Sequence, residues 1–123
     1  MKDKLEVGMY CYNKTNRKMG IGKIISFESN NNVNVRYKND IELVSIGNLE
    51  ASNDIIDILE KGDYVNGDLV LFAGATTWDN DGNALDKQVH INHNGYDLWL
   101  REEYIKSIVT KEQMEQMSYR IGD

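Results

Sequence analysis

Apolar and polar side chains alternate residue by residue in several short segments of the chain. The clearest is VNVRY at 33–37, in which every second residue is valine or tyrosine. Alternation with a period of two is typical of a strand that buries one face, so each such segment predicts a β-strand. In one of them Ile21, Ile25 and Phe27 are predicted to share a face. Further strands are predicted at 9–12, 21–29 and 41–45.

Two Asn-Gly pairs, at 66–67 and 94–95, stand between alternating segments of the second half. A type I′ turn needs positive φ at both central residues, which Asn and Gly tolerate, so each pair predicts a tight hairpin. The second turn sets the register of its strands and places His90 opposite Trp99. Two faces follow: a core face of Val89, Ile91, Leu98 and Leu100, and an outward face of His90, Asn92, Asp97 and Trp99.

Helical segments are short and are marked by capping residues. Asn53 is predicted to cap a helical turn through the following IIDIL. Near the C-terminus, Thr110 is a predicted N-cap with Gln113 as its capping-box partner. Met114 and Met117 are expected to form the buried edge of this short helix.

The two halves of the chain repeat the same order of predicted elements. EVGMY at 6–10 is echoed by EKGDY at 60–64, and DIELVSIGNLEAS at 40–52 lies beside GYDLWLREEYIKS at 95–107. This alignment pairs Leu43 with Leu98, Val44 with Trp99, Leu49 with Tyr104 and Ser52 with Ser107. Short strands, Gly and Asn turns and a helical turn predict a small half-open barrel. We therefore expect a mainly β chain with two half-barrels in tandem, at 1–53 and 54–123, and a short C-terminal helix.

Composition is typical of a compact soluble protein, with 123 residues of which 41% are hydrophobic and 28% charged. No apolar run reaches the roughly 18 residues that a membrane span needs. The charged N-terminus lacks the apolar stretch of a signal peptide. The single cysteine, Cys11, cannot form an internal disulfide. These features predict a cytoplasmic protein that does not enter a membrane.

The span WDNDGNALDKQVHINHNGYD at 78–97 has the composition of a metal site. An EF-hand loop begun at Asp79 needs Gly at its sixth position and Glu at its twelfth, where this chain has Ala84 and His90. His90 and His93, three apart on a strand, point to opposite faces and cannot share a metal ion. The span therefore predicts a hairpin with a loop over 79–86, and neither a metal nor another cofactor is expected.

The sequence offers no arrangement of residues that predicts catalysis. Cys11 lies in the apolar stretch MYCY, and no neighbouring base is evident. GIG at 20–22 lacks the third glycine of a dinucleotide-binding motif and opens a strand, where glycine allows tight curvature. We therefore expect that the chain is not an enzyme.

Charge is distributed unevenly along the chain. Residues 1–40 contain eight Lys or Arg against four acids, whereas 41–123 contain six against sixteen. The acidic half predicts a surface that competes for a basic, nucleic-acid-binding region of a partner protein; in the simpler alternative these charges are only solvated. The acids of this half include Asp54, Asp57, Glu60 and Asp63. The predicted partner-binding residues are Asp79, Asp81, Asp86, His90, Asn92, Asp97, Trp99, Glu102 and Glu103.

A basic hairpin in the first half supports a different function. Lys14, Arg17, Lys18 and Lys23 are close in sequence to tyrosines in neighbouring strands. Basic hairpins on small barrels bind phosphates and aromatic rings stack on bases, so a nucleic-acid-binding module is the alternative. A solvated hairpin without a ligand is the third possibility.

Two resemblances bear on fold and function. VGMYCYNKTNRKMGIGKIISF…VNVRYKNDIELVSIGNL resembles SH3-like barrels of the Tudor and KOW kind over residues 5–52, which implies that the half-barrels are SH3-like. DIIDILEKGDYVNG and IKSIVTKEQMEQMSYRIG are similar to uncharacterised small proteins of phages and prophages in low-GC Gram-positive bacteria. This likeness implies a non-catalytic accessory protein that binds a host protein in the host cytoplasm, including an anti-defence role such as CRISPR–Cas inhibition.

Overall fold

The computed structural model describes the backbone of residues 5–121 and the side chains of residues 5–116. These residues form two five-stranded antiparallel sheets, one of them a half-barrel, and one short C-terminal helix. The predicted mainly β fold class is therefore confirmed. The predicted burial of Met117 lies outside the described side chains.

The first sheet contains the strands β1 (Tyr10–Asn13), β2 (Gly22–Phe27), β3 (Asn32–Arg36), β4 (Ile41–Ser45) and β5 (Leu49–Ser52). They pair in the order β4-β3-β2-β1-β5. A 3₁₀ turn at Arg17–Met19 connects β1 to β2, and another at Ile46–Asn48 connects β4 to β5. The core of the sheet is formed by Met9, Cys11, Ile24, Val33, Val35, Tyr37, Val44 and Leu49.

The second sheet contains the strands β6 (Tyr64–Val65), β7 (Asp68–Trp78), β8 (Ala84–His93), β9 (Tyr96–Leu100) and β10 (Ile108–Val109). They pair in the order β10-β6-β7-β8-β9. A 3₁₀ turn at Glu102–Tyr104 connects β9 to β10, and helix α1 (Lys111–Ile121) follows. The core of this sheet is formed by Leu59, Val65, Val70, Val89 and Ile91.

The two sheets have the same topology, which confirms the predicted repetition of elements. In each, the first strand pairs with the second and the fifth, and a 3₁₀ turn precedes the fifth. Gly8 and Gly62 precede the first strands with φ of 98° and 100°. Their amides donate to equivalent carbonyls, of Ile24 at 2.8 Å and Val70 at 3.0 Å. The strands of the two sheets fall on either side of the predicted boundary at 53/54, although the division into two domains stays a prediction.

The residue alignment of the two halves, by contrast, is wrong in β9. Val33 pairs with Val44 in the first sheet, and the equivalent pair in the second is Val89 with Leu100. Val44 therefore corresponds to Leu100 and not to Trp99. The two pairs have the same separation along the chain, so the hairpins correspond and the predicted alignment is displaced by one residue. Since side chains alternate along a strand, an error of one residue exchanges the buried and exposed faces.

Both predicted Asn-Gly turns are present. Asn66 and Asn94 have φ of 53°, and the glycines that follow them also have positive φ, as a type I′ turn requires. His90 pairs with Trp99, as predicted from the second turn. Leu98 is 41% exposed, so its predicted place in the core is wrong. It lies on the edge strand of the second sheet and does not belong to the second core.

Three local predictions are corrected or confirmed by the hydrogen bonds and register. Asp54, not Asn53, caps the turn at Ile55–Ile58, because its side chain accepts from the Ile56 amide. The capping box is confirmed. The backbone amide of Gln113 donates to Thr110 Oγ1 at 3.1 Å, and the backbone amide of Thr110 donates to Gln113 Oε1 at 2.9 Å. The register shift between Ile24 and Ser26 places Ile24 in the core and separates the face predicted for 21, 25 and 27.

The 3₁₀ turn Ile55–Ile58 lies between the two sheets and contacts both. Ile55, Ile56 and Ile58 are buried and form a third cluster. This cluster, here called the middle core, is packed by Tyr10, Tyr12 and Ile21 of the first half and by Ala73, Ile105 and Ile108 of the second. The two halves therefore share buried apolar surface as well as a chain connection.

Gly22 is expected to be intolerant of a side chain. A Cβ at this position would lie 2.7 Å from Val35 Cγ1 and 2.8 Å from the Arg36 carbonyl oxygen. Gly22→Ala is expected to lower the free energy of unfolding by about 1–3 kcal/mol, because a core with added volume must shift. Chemical denaturation measures the change. Gly47→Ala is the control, since its Cβ would meet one atom, at 3.9 Å; equal stability of the two variants would contradict the expected crowding at Gly22.

Candidate interaction face on the second sheet

Six outward side chains on β7, β8 and β9 form a grid of two cross-strand rows. One row is Phe72, His90 and Trp99, and the next is Leu69, Asn92 and Asp97. We call these six residues the aromatic face. Its members come from three neighbouring strands that are paired by backbone hydrogen bonds, so the sheet holds them in a fixed arrangement.

Ring contacts join the side chains of the first row of the aromatic face, Phe72, His90 and Trp99. The His90 and Trp99 rings are stacked, with centroids 4.4 Å apart and planes 6° from parallel. Trp99 also meets Phe72 at a tilt of 59°, with centroids 6.2 Å apart. Trp99 is nevertheless 50% exposed and Phe72 44% exposed. The alternative that the pair only stiffens the sheet is compatible with the stacking, but it does not require this much exposed aromatic surface.

Phe72 and Leu69 were not predicted at this face. A register shift between Val70 and Phe72 makes Leu71 an extra residue in β7. Strict alternation from the buried Val70 would have turned Phe72 into the core, whereas the bulge turns it outward beside His90. Gly74 pairs with Gln88 on this stretch, and a Cβ at Gly74 would lie 3.4 Å from Phe72 Cζ.

Of the predicted partner-binding residues, the structure brings together His90, Asn92, Asp97, Trp99 and Asp86. Asp86 lies on the same side of β8 as Gln88, whose amide donates to Asp86 Oδ2 at 2.7 Å. Arg101 Nε donates to Asp86 Oδ1 at 3.3 Å, and this hydrogen bond, followed by that of Gln88, lowers the pKa of Asp86. Next to the aromatic face, Asp86 is therefore part of an ion pair with Arg101 and is not a free acid.

Asp79 and Asp81 lie in the hairpin loop between β7 and β8, away from the aromatic face. The loop spans 79–83, shorter than predicted, since 84–86 belong to β8. Asp79 Oδ1 accepts from the amides of Asp81 and Asn83, both at 2.9 Å. These hydrogen bonds, with that of the Asn83 amide the largest influence, lower the pKa of Asp79. The Asp79 carboxylate therefore stabilises the conformation of the loop to which it belongs.

Glu102 and Glu103 lie in the 3₁₀ turn after β9 and line a groove with Asp54, Asp86 and Arg101. Burial of Glu102 raises its pKa, and the charge of Asp54 and a hydrogen bond with it act in the same direction. Asp57, from the middle-core turn, accepts from Lys87 Nζ at 2.7 Å. Lys87, which also lines this groove, thus pairs with an acid of the middle-core turn at the junction of the halves.

Arg17 and Asp63 are removed from both predicted surfaces because they are buried against each other. The Arg17 side chain is 8% exposed and Asp63 is 0% exposed. Arg17 Nη1 donates to Asp63 Oδ1 at 2.9 Å and Nη2 donates to Asp63 Oδ2 at 3.1 Å. Nη1 also donates to Glu112 at 3.0 Å, and the guanidinium lies 4.4 Å from the centre of the Tyr12 ring. Burial alone would lower the pKa of Arg17, but hydrogen bonding to Asp63 and the charge of Asp63 raise it.

The predicted basic hairpin is therefore not one exposed surface. Arg17 points to the second half, and the 3₁₀ turn that carries it is further fixed by Thr110 Oγ1, which donates to the Arg17 carbonyl at 2.9 Å. Lys14 and Lys18 are exposed. Lys23 lies on β2, with its ammonium 4.9 Å above the centre of the Tyr10 ring, and lines a cleft between the halves.

Cys11 is fully buried in the first core, as its apolar surroundings predict. Burial raises the pKa of its thiol to about 12. A thiol is nucleophilic as the thiolate, so Cys11 in the folded protein is unreactive.

Within residues 5–121 no three His, Cys, Asp or Glu side chains are grouped so that they could hold a metal ion. His90 and His93 lie on opposite faces as predicted: His90 stacks on Trp99, whereas His93 Nδ1 lies 2.8 Å from Asp68 Oδ2. No helix in the described part of the chain has the length and apolar character needed to cross a membrane. Comparison of the chain with family models, curated proteins and solved structures finds no match.

Proposed function

We propose that this protein is a non-catalytic binding protein that attaches to another protein through the aromatic face. The observation that carries the proposal is the contact between two half-exposed rings, Phe72 on the inner strand β7 and Trp99 on the edge strand β9. Contiguous exposed apolar groups are characteristic of interaction surfaces, and Trp is enriched among the residues that contribute most to binding.

The charges of the aromatic face and of its sheet support a basic partner. Asp97 belongs to the face, whereas Asp79 and Asp81 are exposed in the hairpin loop that joins the other ends of β7 and β8. The chain as a whole has a formal charge of −6. Complementary charge increases the rate of association and selects among partners, so a positively charged protein surface, such as one that binds nucleic acid, fits best. In the setting that the phage resemblance implies, this partner is a host protein, and inhibition of a host defence protein is included in the proposal.

Replacement of Trp99 is expected to abolish this binding. The immobilised protein is incubated with a lysate of a low-GC Gram-positive host at low and at moderate salt, and retained proteins are identified by mass spectrometry. Trp99→Ala is expected to lose the partner that the unsubstituted chain retains. Loss of a central aromatic contact weakens binding by about 2 kcal/mol or more, which is roughly 30-fold, and titration with the purified partner measures it.

Phe27→Ala is the matched control, because Phe27 is also an exposed aromatic residue, at 46%, but lies on the first sheet. It is expected to retain the same partner as the unsubstituted chain. The proposal fails if nothing is retained at either salt concentration. It also fails if Trp99→Ala, with an unchanged thermal unfolding midpoint, retains as much partner as Phe27→Ala.

A further inference from the structure

A cleft of about 480 Å³ lies between the first sheet and the chain segment that leads into β10. Its floor includes Tyr10, Lys23 and Arg36, which are cross-strand neighbours on β1, β2 and β3. Its opposite wall includes Ile105 and Lys106 from the second half. The volume lies within the roughly 300–1,000 Å³ typical of small-molecule sites.

The rim of the cleft is cationic although the chain as a whole is acidic. Lys23, Arg36 and Lys38 approach from the first half and Lys106 from the second. Among the described residues, Arg36, Lys38 and Lys106 have no acidic partner. Glu102 is the acid that lines the cleft, so it is outnumbered by these cationic side chains. An anion entering the cleft therefore meets a concentration of positive charge with little opposing it.

The deeper lining is apolar and is supplied by both halves. Ile21, Ile55, Ile105 and Ile108 line the cleft together with the Tyr10 ring. These residues belong to or pack against the middle core, so their positions are fixed by folding. An apolar lining with a few charged groups at its edge is the usual construction of a site for an organic anion.

We propose that this cleft binds a nucleotide, with its phosphate at the cationic rim and its base against the apolar lining. Lys and Arg are the usual partners of phosphate, and every base has an apolar face that can pack on an aromatic or aliphatic surface. The nucleotide is either free or the exposed end of a single strand, since both offer the same chemistry. This inference is independent of the aromatic face, which lies on another sheet.

Isothermal titration calorimetry with the common nucleoside monophosphates and with short single-stranded oligonucleotides tests the proposal. We expect saturable binding that Arg36→Gln with Lys38→Gln weakens by about tenfold or more, since two phosphate contacts are lost. The matched control is Lys14→Gln with Lys18→Gln, which removes the same charge from exposed positions that do not line the cleft. It is expected to change affinity by less than about twofold. Lys106→Gln is expected to weaken binding as well, because that side chain belongs to the opposite wall.

The relative affinities distinguish the two sources. Tighter binding of a nucleoside monophosphate indicates a free nucleotide as the ligand. Tighter binding of an oligonucleotide, with an affinity that depends on its terminal residue, indicates the end of a single strand. Absence of binding to both overturns the proposal. So does an equal loss in the cleft variant and in the control, which would indicate a general effect of charge. Inorganic phosphate that binds as tightly as the nucleoside monophosphates would also overturn it, because the base would then contribute nothing. Circular dichroism and thermal unfolding confirm that each variant is folded.

Discussion

Asp63→Asn is expected to lower the free energy of unfolding by about 3–5 kcal/mol, the usual cost of breaking a buried ion pair. Asp63 is fully buried, and both of its oxygens accept from the Arg17 guanidinium. It also accepts from the backbone amides of Glu60 and Lys111, both at 2.9 Å. Substitution leaves a buried guanidinium without the carboxylate that lies against it. Urea denaturation followed by tryptophan fluorescence measures the loss.

Two variants separate this ion pair from other effects of the substitution. Asp81→Asn makes the same chemical change at an exposed loop position and is expected to stay within about 0.5 kcal/mol of the unsubstituted chain. Arg17→Met with Asp63→Met is expected to recover part of the loss, because apolar replacement of a buried ion pair is often neutral, whereas the backbone amides of Glu60 and Lys111 still lose their acceptor. Met9 occupies the position equivalent to Asp63 in the first half and is buried there. Equal stability of Asp63→Asn and Asp81→Asn would contradict this account of the pair.

Ile56→Ala is expected to destabilise both halves together, by about 2–5 kcal/mol, because it leaves a cavity in the middle core. Ile56 is 1% exposed, and the cluster to which it belongs is packed by side chains of both sheets. Two probes report on the halves separately. Trp78 and Trp99 lie in the second sheet, and buried Cys11 reports on the first through pulse labelling of its thiol during denaturation.

The expected result is that both probes shift to lower denaturant by the same amount. Ile41→Ala, at an exposed position on edge strand β4, is the control and is expected to change little. Separate transitions, with one half keeping its stability in Ile56→Ala, would show that the middle core does not couple the halves.

Turn residues and the alternation of apolar and polar side chains predicted most of the fold, because these local features determine where strands turn and which face each strand buries. Asn66 and Asn94 each precede a glycine, and this dipeptide alone fixes a type I′ turn. From the turn at 94–95, period-two alternation predicts the pairing of His90 with Trp99 and the separation of His90 from His93. The repeated element order could be predicted for the same reason, since each half contains the same sequence of turns and alternating segments.

Features that depend on bulges or on distant residues could not be predicted in this way. Phe72 faces outward because of one extra residue in β7, and no local signal marks that bulge. Arg17 and Asp63 are 46 residues apart, and each looks like a surface charge in its own segment. One signal was present in the sequence: Asp63 stands where the other half has Met9, and a charge at a core position needs a buried partner. The cationic cleft joins residues of both halves and required the tertiary structure.

Site-specific photo-crosslinking tests the proposed binding face most directly. A photoreactive phenylalanine analogue is placed at position 72, on the aromatic face, or at position 27, which is similarly exposed on the first sheet. Each protein is irradiated with the partner identified by lysate capture. We expect a covalent adduct from position 72 and none from position 27. Adducts of equal yield from both positions, or an adduct from position 27 alone, would contradict the assignment of the aromatic face as the binding surface.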